Sequence, residues 1–157
     1  MSRVKVLQYR GISLISKLIR WQTRSVYSHS AIMTPTGSVI EAWHKGGVQE
    51  VENISSLHTS GTIVDVYEFS AMYGVDETSM LQFAREQLGC GYDFLAILRF
   101  LSRRSYTQND RWFCSELVAK AAERGGCPII NLPAHQISPR DVAASPVLVK
   151  VDTFECS

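Results

Sequence analysis

The stretch Thr34-Pro35-Thr36-Gly37 constrains the fold of this 157-residue chain more than any other. It separates two runs of strand-forming residues, Val26-Tyr27-Ser28-His29-Ser30-Ala31-Ile32-Met33 and Ser38-Val39-Ile40-Glu41-Ala42-Trp43. Proline presets φ for the second position of a type I turn, and glycine takes the left-handed position that follows without a steric penalty. A β-hairpin closed by a three-residue loop with a bulge is therefore expected. The register follows from the loop. Thr34 faces Ser38, Ala31 faces Glu41 and His29 faces Trp43, which makes Glu41 a same-face diagonal neighbour of His29. A loop of two or four residues would put these two side chains on opposite faces, because strand side chains alternate with period two.

The second informative stretch is Arg111-Trp112-Phe113-Cys114-Ser115-Glu116-Leu117-Val118. Asn109 and Asp110 precede it as helix-capping residue types, good helix formers continue to Ala122, and Gly125-Gly126 ends the run. Cys114 is thus expected in or near a first helical turn, where the dipole favours thiolate over thiol. A nucleophilic thiol needs a base within reach and an orienting acceptor for that base, and His29 and Glu41 have those chemistries. Taken singly, such a cysteine is more often a small buried hydrophobe, and such a histidine or glutamate is more often packed or solvated.

Elsewhere the pattern alternates strands and helices. A short opening strand around Val4–Tyr9, a helix over Gly11–Gln22, a strand at Val48–Val51 and a strand at Thr62–Phe69 are expected. Asn53–Ser60 reads as loop or a short helical turn. Asp76 caps a helix through Leu88, and Cys90-Gly91-Tyr92-Asp93 forms a tight loop into a Phe94–Arg103 helix. A polar connector then runs to Asp110. Ser138-Pro139-Arg140-Asp141 starts a further helix, and Val147–Val151 closes with a strand. The length suits a single domain spanning residues 1–157, with no internal repeat.

Charge is uneven although the net value is only +1. Arg3, Lys5, Arg10, Lys17, Arg20 and Arg24 all precede the first acidic residue, Glu41. This basic quarter could face an anionic partner such as a phospholipid headgroup, a cell-wall polymer or nucleic acid, although later acids can balance it once the chain folds. No specific nucleic-acid motif accompanies it. The cysteines at 90, 114, 127 and 156 form no C-x-x-C pair and no common zinc spacing. Cys90, Cys127 and Cys156 read as structural or incidental thiols and His135 as a reserve base in a loop; His44 and His58 read as surface residues, and a metal site made by them with His29 and Glu41 has no H-x-x-x-H spacing to support it. A thiol nucleophile with a histidine base needs no metal or organic cofactor, and none is expected. No apolar leader follows Met1-Ser2-Arg3, and Phe94–Leu101 is far too short to span a bilayer, so a cytoplasmic, non-transmembrane protein with reduced thiols is expected.

Five motifs in order resemble one family. Ser28-His29-Ser30-Ala31-Ile32, Ile40-Glu41-Ala42, Gly91-Tyr92-Asp93-Phe94, Phe113-Cys114-Ser115-Glu116-Leu117-Val118 and Ile137-Ser138-Pro139-Arg140-Asp141 are similar to motifs of the circularly permuted papain-like proteins. These form the YiiX-like branch of the NlpC-type cysteine peptidases and amidases. The likeness covers roughly Val26 to Val142. It implies an α+β, papain-like fold in permuted order, with an antiparallel sheet packed against the helix that carries the cysteine. It also implies Cys114 as nucleophile, His29 as base and Glu41 as orienter in a cysteine peptidase or amidase-type hydrolase. Two departures stand out: Ser30-Ala31 replaces the more usual Val-Gly, and no tyrosine follows Cys114. Tyr92 and Tyr27 are the candidates for the remaining substrate-binding or oxyanion role. Peptide, peptidoglycan, lipid-amide and ubiquitin-like substrates stay open, as do oligomeric state, an acyltransferase outcome and an inactive binding module.

Overall fold

A computed structural model describes residues 3–94 and 111–157. The expected Phe94–Arg103 helix, the connector after it and the Asn109-Asp110 caps fall largely or wholly outside the described residues. Eight strands are described: β1 (Lys5–Arg10), β2 (His29–Met33), β3 (Val39–Trp43), β4 (Gly47–Val51), β5 (Ile63–Phe69), β6 (Gly91–Tyr92), β7 (Arg111–Trp112) and β8 (Leu148–Glu155). Four α-helices accompany them: α1 (Leu14–Thr23), α2 (Glu77–Glu86), α3 (Cys114–Arg124) and α4 (Pro139–Ala143). A six-stranded antiparallel sheet runs in the order β4-β3-β2-β1-β5-β8, and β6 and β7 pair separately in parallel. The tight loop expected at Cys90–Asp93 is therefore partly strand, and the closing strand extends to Glu155. Among the described residues, no helix is long and apolar enough to cross a membrane.

Both faces of the sheet are covered, so β1 is buried continuously from Val6 to Tyr9 instead of on alternate residues. On one face Val4, Val6, Ile32, Ile40 and Ala42 meet Phe113, Leu117, Val118, Ala121 and Ala122 of α3 and its approach. On the other, Leu7, Tyr9, Ala31, Val39, Val64 and Val66 gather with Cys156, and Ile54 packs against them. The mixed α+β class and the helix-on-sheet arrangement expected from the sequence are both present.

The hairpin forms as its turn chemistry requires. Thr34 N–H donates to Ser38 O at 2.8 Å, Gly37 N–H donates to Thr34 O at 3.0 Å, and Gly37 holds φ +92°. Ile32 faces Ile40 and Met33 faces Val39, the register deduced from an odd loop. The β2–β3 partners stop there, however, and the expected pairings of Ala31 with Glu41 and of His29 with Trp43 are not part of the ladder. The strands part just where His29, Ser30 and Glu41 lie.

Polar tethers fix the helices to this opening. Gln8 Nε2 donates to Pro139 O at 2.5 Å, linking β1 to the start of α4, and Ser30 Oγ bonds Gln8 Oε1. Ser115 Oγ donates to Ile137 O at 2.6 Å, which pins the first turn of α3. Ser138 caps α4 in a reciprocal capping box with Asp141, as its sequence suggests.

Candidate active site

Cys114 opens α3, but the cap differs from expectation. Phe113 is the N-cap, extended at φ −87° and ψ 153°, and no side chain caps the helix. The first-turn N–H groups, which have no intrahelical acceptor, are thus left to other acceptors. The Cys114 sulfur is one of them: the backbone N–H groups of Cys114 and Ser115 point to it, and so does the N–H of Ser30. The sulfur thus lies against the backbone of Ser30, the residue that follows His29.

His29 and Glu41 come together as the odd loop implied. His29 Nε2 lies 2.5 Å from Glu41 Oε2, with both side chains almost wholly buried. Burial lowers the pKa of His29 because it disfavours the imidazolium, and this outweighs the opposing hydrogen bond and charge of Glu41. Burial acts against the Glu41 carboxylate too, but hydrogen bonds from His29 and His58 overcome it and bring its pKa down to about 2. At neutral pH the pair is an uncharged imidazole donating Nε2–H to a carboxylate. That tautomer leaves Nδ1 as the basic nitrogen. No hydrogen bond joins His29 to the Cys114 thiol among the described residues.

His58 is a correction to the sequence reading, which put it on the surface. Its side chain is buried, its Nε2 is 2.9 Å from the same Glu41 Oε2, and its ring stacks on Tyr9 at 3.8 Å between centroids. Trp43 meets His29 and His58 edge-on at 4.9 and 4.6 Å, and Tyr9 meets His29 edge-on at 5.2 Å. An aromatic box therefore holds two imidazoles on one carboxylate oxygen. The other oxygen, Glu41 Oε1, is buried with no hydrogen-bond partner among the described residues. His29, Glu41 and His58 each offer a ligand atom, all within 4.8 Å of one another. The sequence offered His58 beside His29 and Glu41 only as a metal set without H-x-x-x-H spacing, and a histidine in a polar loop is ordinary.

The thiol also departs from expectation. Cys114 is wholly buried, and burial pushes its pKa up to about 12 against the three N–H groups that favour thiolate. Removal from water outweighs the helix start, so the resting form is the thiol. Of the two candidate tyrosines, Tyr92 stays in play: it is buried beside Phe113 and Phe94, and a Cys114 charge lies close enough to raise its pKa further after burial has done most. Tyr27 does not. Its hydroxyl lies 2.5 Å from Asp65 Oδ2 and 3.1 Å from Tyr67, so it belongs to a different polar cluster. His44 packs on Trp43, and His135 sits in a single 3₁₀ turn, Ala134–Gln136. All four cysteines are free thiols. A cavity of about 680 Å³ lies elsewhere, lined by Met72, Tyr73, Cys127, Ile129 and Val147.

No protein-family model and no curated protein matches the sequence. Among solved structures, the chain is similar to metalloprotein yiiX from Escherichia coli O157:H7. The two are 22% identical and superpose with a TM-score of 0.71 over 98% of this chain and 97% of that one. Similarity at this identity is a statement about the backbone, and what it establishes is that the chain has a YiiX-like mixed α+β fold.

Proposed function

We propose that the protein is a cysteine hydrolase of papain-like type in permuted order, which cleaves an amide or related acyl bond through a thioester on Cys114. The observation that carries this is the His29 Nε2–Glu41 Oε2 contact of 2.5 Å, with Ser30, the residue after His29, pointing its N–H to the Cys114 sulfur. Glu41 orients the imidazole so that Nδ1 is the acceptor. On substrate binding, Nδ1 takes the thiol proton as sulfur attacks the carbonyl carbon. Because the resting thiol is held neutral, proton removal accompanies attack. The oxyanion is met by first-turn N–H groups, with the Tyr92 hydroxyl as a second source. The imidazolium then protonates the leaving amine as the C–N bond breaks. Water, deprotonated by His29, attacks the thioester, and the released sulfur regains the proton from His29.

Exposure to a panel of peptide, cell-wall amide, lipid-amide and ubiquitin-like acyl substrates should give a mass adduct on Cys114. Cys114→Ala and His29→Ala should each abolish turnover, whereas Glu41→Gln should retain some, since it acts through His29. An active Cys114→Ala protein, or an adduct on another cysteine only, would refute the mechanism. Product analysis with an added amine or alcohol tells whether water is the acceptor.

A second reading is favoured by His58. The relative with this fold is described as a metalloprotein. Here two imidazole nitrogens and a carboxylate lie within 4.8 Å of one another, and Glu41 Oε1 has no other partner. The donor set of two histidines and one carboxylate suits zinc. His29, Glu41 and His58 would hold it, and bound zinc supplies a Lewis acid and a water of lowered pKa. The two readings exclude each other: an imidazole ligating through Nε2 carries its proton on Nδ1 and cannot accept one from the thiol. Calorimetric titration with zinc, run beside activity assays of Cys114→Ala and of chelator-treated protein, separates them. Tight binding with activity that survives Cys114→Ala and falls on chelation supports the metal reading; weak or no binding and chelator-insensitive, thiol-dependent activity supports the hydrolase.

A further inference from the structure

The six N-terminal cations divide into two groups once the chain is folded. Arg3 pairs with Glu77, Lys5 with Glu68 and Arg10 with Asp65, so these three are balanced by later acids. The remaining three, Lys17, Arg20 and Arg24, all belong to α1 or its C-cap. Arg20 is partly engaged, donating to Gly11 O, while Lys17 and Arg24 make no ion pair with any described residue.

The apolar residues of α1 also divide. Ser16, Ile19 and Thr23 are buried, and Ile15 packs on the core. Leu14, Leu18 and Trp21 point the other way, 87%, 43% and 73% exposed, at the i, i+4, i+7 spacing that lines up one stripe. Ile12 and Val26, at either end of the segment, are exposed as well. At 100° per residue, Lys17 flanks this stripe on one side, and Arg24 follows the last turn as the left-handed C-cap. A helix whose outward stripe is Leu, Leu and Trp, whose flank is basic and whose first turn carries no acid has the makeup of an interfacial helix. Tryptophan favours the headgroup level, and the cations match anionic headgroups.

We propose that α1 is a docking surface for an anionic phospholipid bilayer, with Leu14, Leu18 and Trp21 entering the headgroup boundary and Lys17 and Arg24 against phosphate. Charge complementarity commits the stripe to this occupant: a second copy of the chain would bring the same unpaired cations face to face. The proposal does not depend on the chemistry at Cys114. The helix is nevertheless close to the site, since Gly11 N–H donates to Ser28 Oγ, one residue before His29.

The experiment is flotation of the full chain with phosphatidylcholine vesicles made with and without phosphatidylglycerol, alongside sedimentation equilibrium without lipid. Binding is expected to phosphatidylglycerol-containing vesicles, weakened by salt, with far less to phosphatidylcholine alone. Neutralising Lys17→Gln and Arg24→Gln together should weaken it about twenty-five-fold, taking roughly fivefold per cation near an anionic surface. Leu14→Ser with Trp21→Ser should abolish it, and both positions are exposed enough that folding, checked by circular dichroism, is unaffected. Cys114→Ala should bind as the wild type does. No flotation of the wild type, equal flotation of the variants, or a lipid-free dimer lost in Leu14→Ser/Trp21→Ser without vesicle binding would each overturn the proposal.

Discussion

Glu41 shows how one residue sets the character of a site. Its Oε2 accepts from two imidazoles inside an aromatic box, which keeps a buried carboxylate ionised at a position where burial alone would protonate it. His58 is therefore expected to support Glu41 as well as to fill space. His58→Phe preserves the stack on Tyr9 but removes one donor from a buried charge. It should cost about 1.5–3 kcal/mol, the worth of a hydrogen bond to a charged group, read as a lower urea midpoint at unchanged slope. His58→Ala, which also loses the stack, should cost more. An unchanged midpoint for both would mean that His29 alone sustains the carboxylate. The short reach of the hairpin made the His29–Glu41 contact legible from sequence, because every intervening residue lies in two strands and a turn of known count. His58 is separated from Glu41 by β4 and an irregular loop, and no periodicity says where such a loop lays its side chains.

At the scale of elements, two glycines test what the turns contribute. Gly37 has a positive φ, but a Cβ there would meet nothing within 4 Å, so only backbone strain opposes substitution. Gly37→Ala should cost about 1–2 kcal/mol, the penalty of a left-handed residue with a side chain. Gly47, the first residue of β4, also has a positive φ, and its Cβ would collide with the Cys90 carbonyl. That carbonyl accepts from Val48 N–H at 2.9 Å and cannot retreat cheaply. Gly47→Ala should therefore destabilise more than Gly37→Ala, a ranking that urea titration checks directly; the reverse order would mean the Cys90 segment shifts freely. The Cys114 helix teaches a related lesson. Its existence and stop were readable from good helix formers followed by Gly125-Gly126, whereas its start depended on β6 and β7 bringing Phe113 in as an extended cap.

Across the whole molecule, the sheet is joined by the cluster at Asp65. Arg10 from β1, Thr153 and Lys150 from β8 and Tyr27 from before β2 converge on this one β5 carboxylate. Burial opposes its charge, but the bonds from Tyr27, Arg10, Thr153 and Lys150 outweigh burial and hold its pKa well below the usual carboxylate range. A carboxylate with a depressed folded pKa stabilises the fold fully above its unfolded value and loses that contribution as pH falls toward the folded one. Stability is thus expected to decline from about pH 4 downward, where an unfolded aspartate begins to take up a proton. Asp65→Asn should flatten that acid limb and lower stability at neutral pH, because Arg10 and Lys150 lose their counter-charge. Urea midpoints measured across the acid range decide it; an unaltered acid limb would place the titrating group elsewhere. Tyr27 belongs to this cluster, which is why its role in the sequence reading does not survive.

By itself the sequence determined what depends on neighbours in the chain: the hairpin and its register, the α2 cap at Asp76, the α4 capping box and the helix that begins near Cys114. Turn and cap preferences act over a few residues, so their outcome is written locally. Only the tertiary structure decided which way α1 turns, since its sequence offers two apolar stripes and periodicity cannot say which one meets the core. It also decided that the β2–β3 ladder ends at Ile32 and Ile40, and that His58 comes in from a loop to share Glu41. Last, it set the Cys114 thiol at neutral rather than charged, because a pKa follows from the balance between water removed and donors supplied, and distant segments determine both.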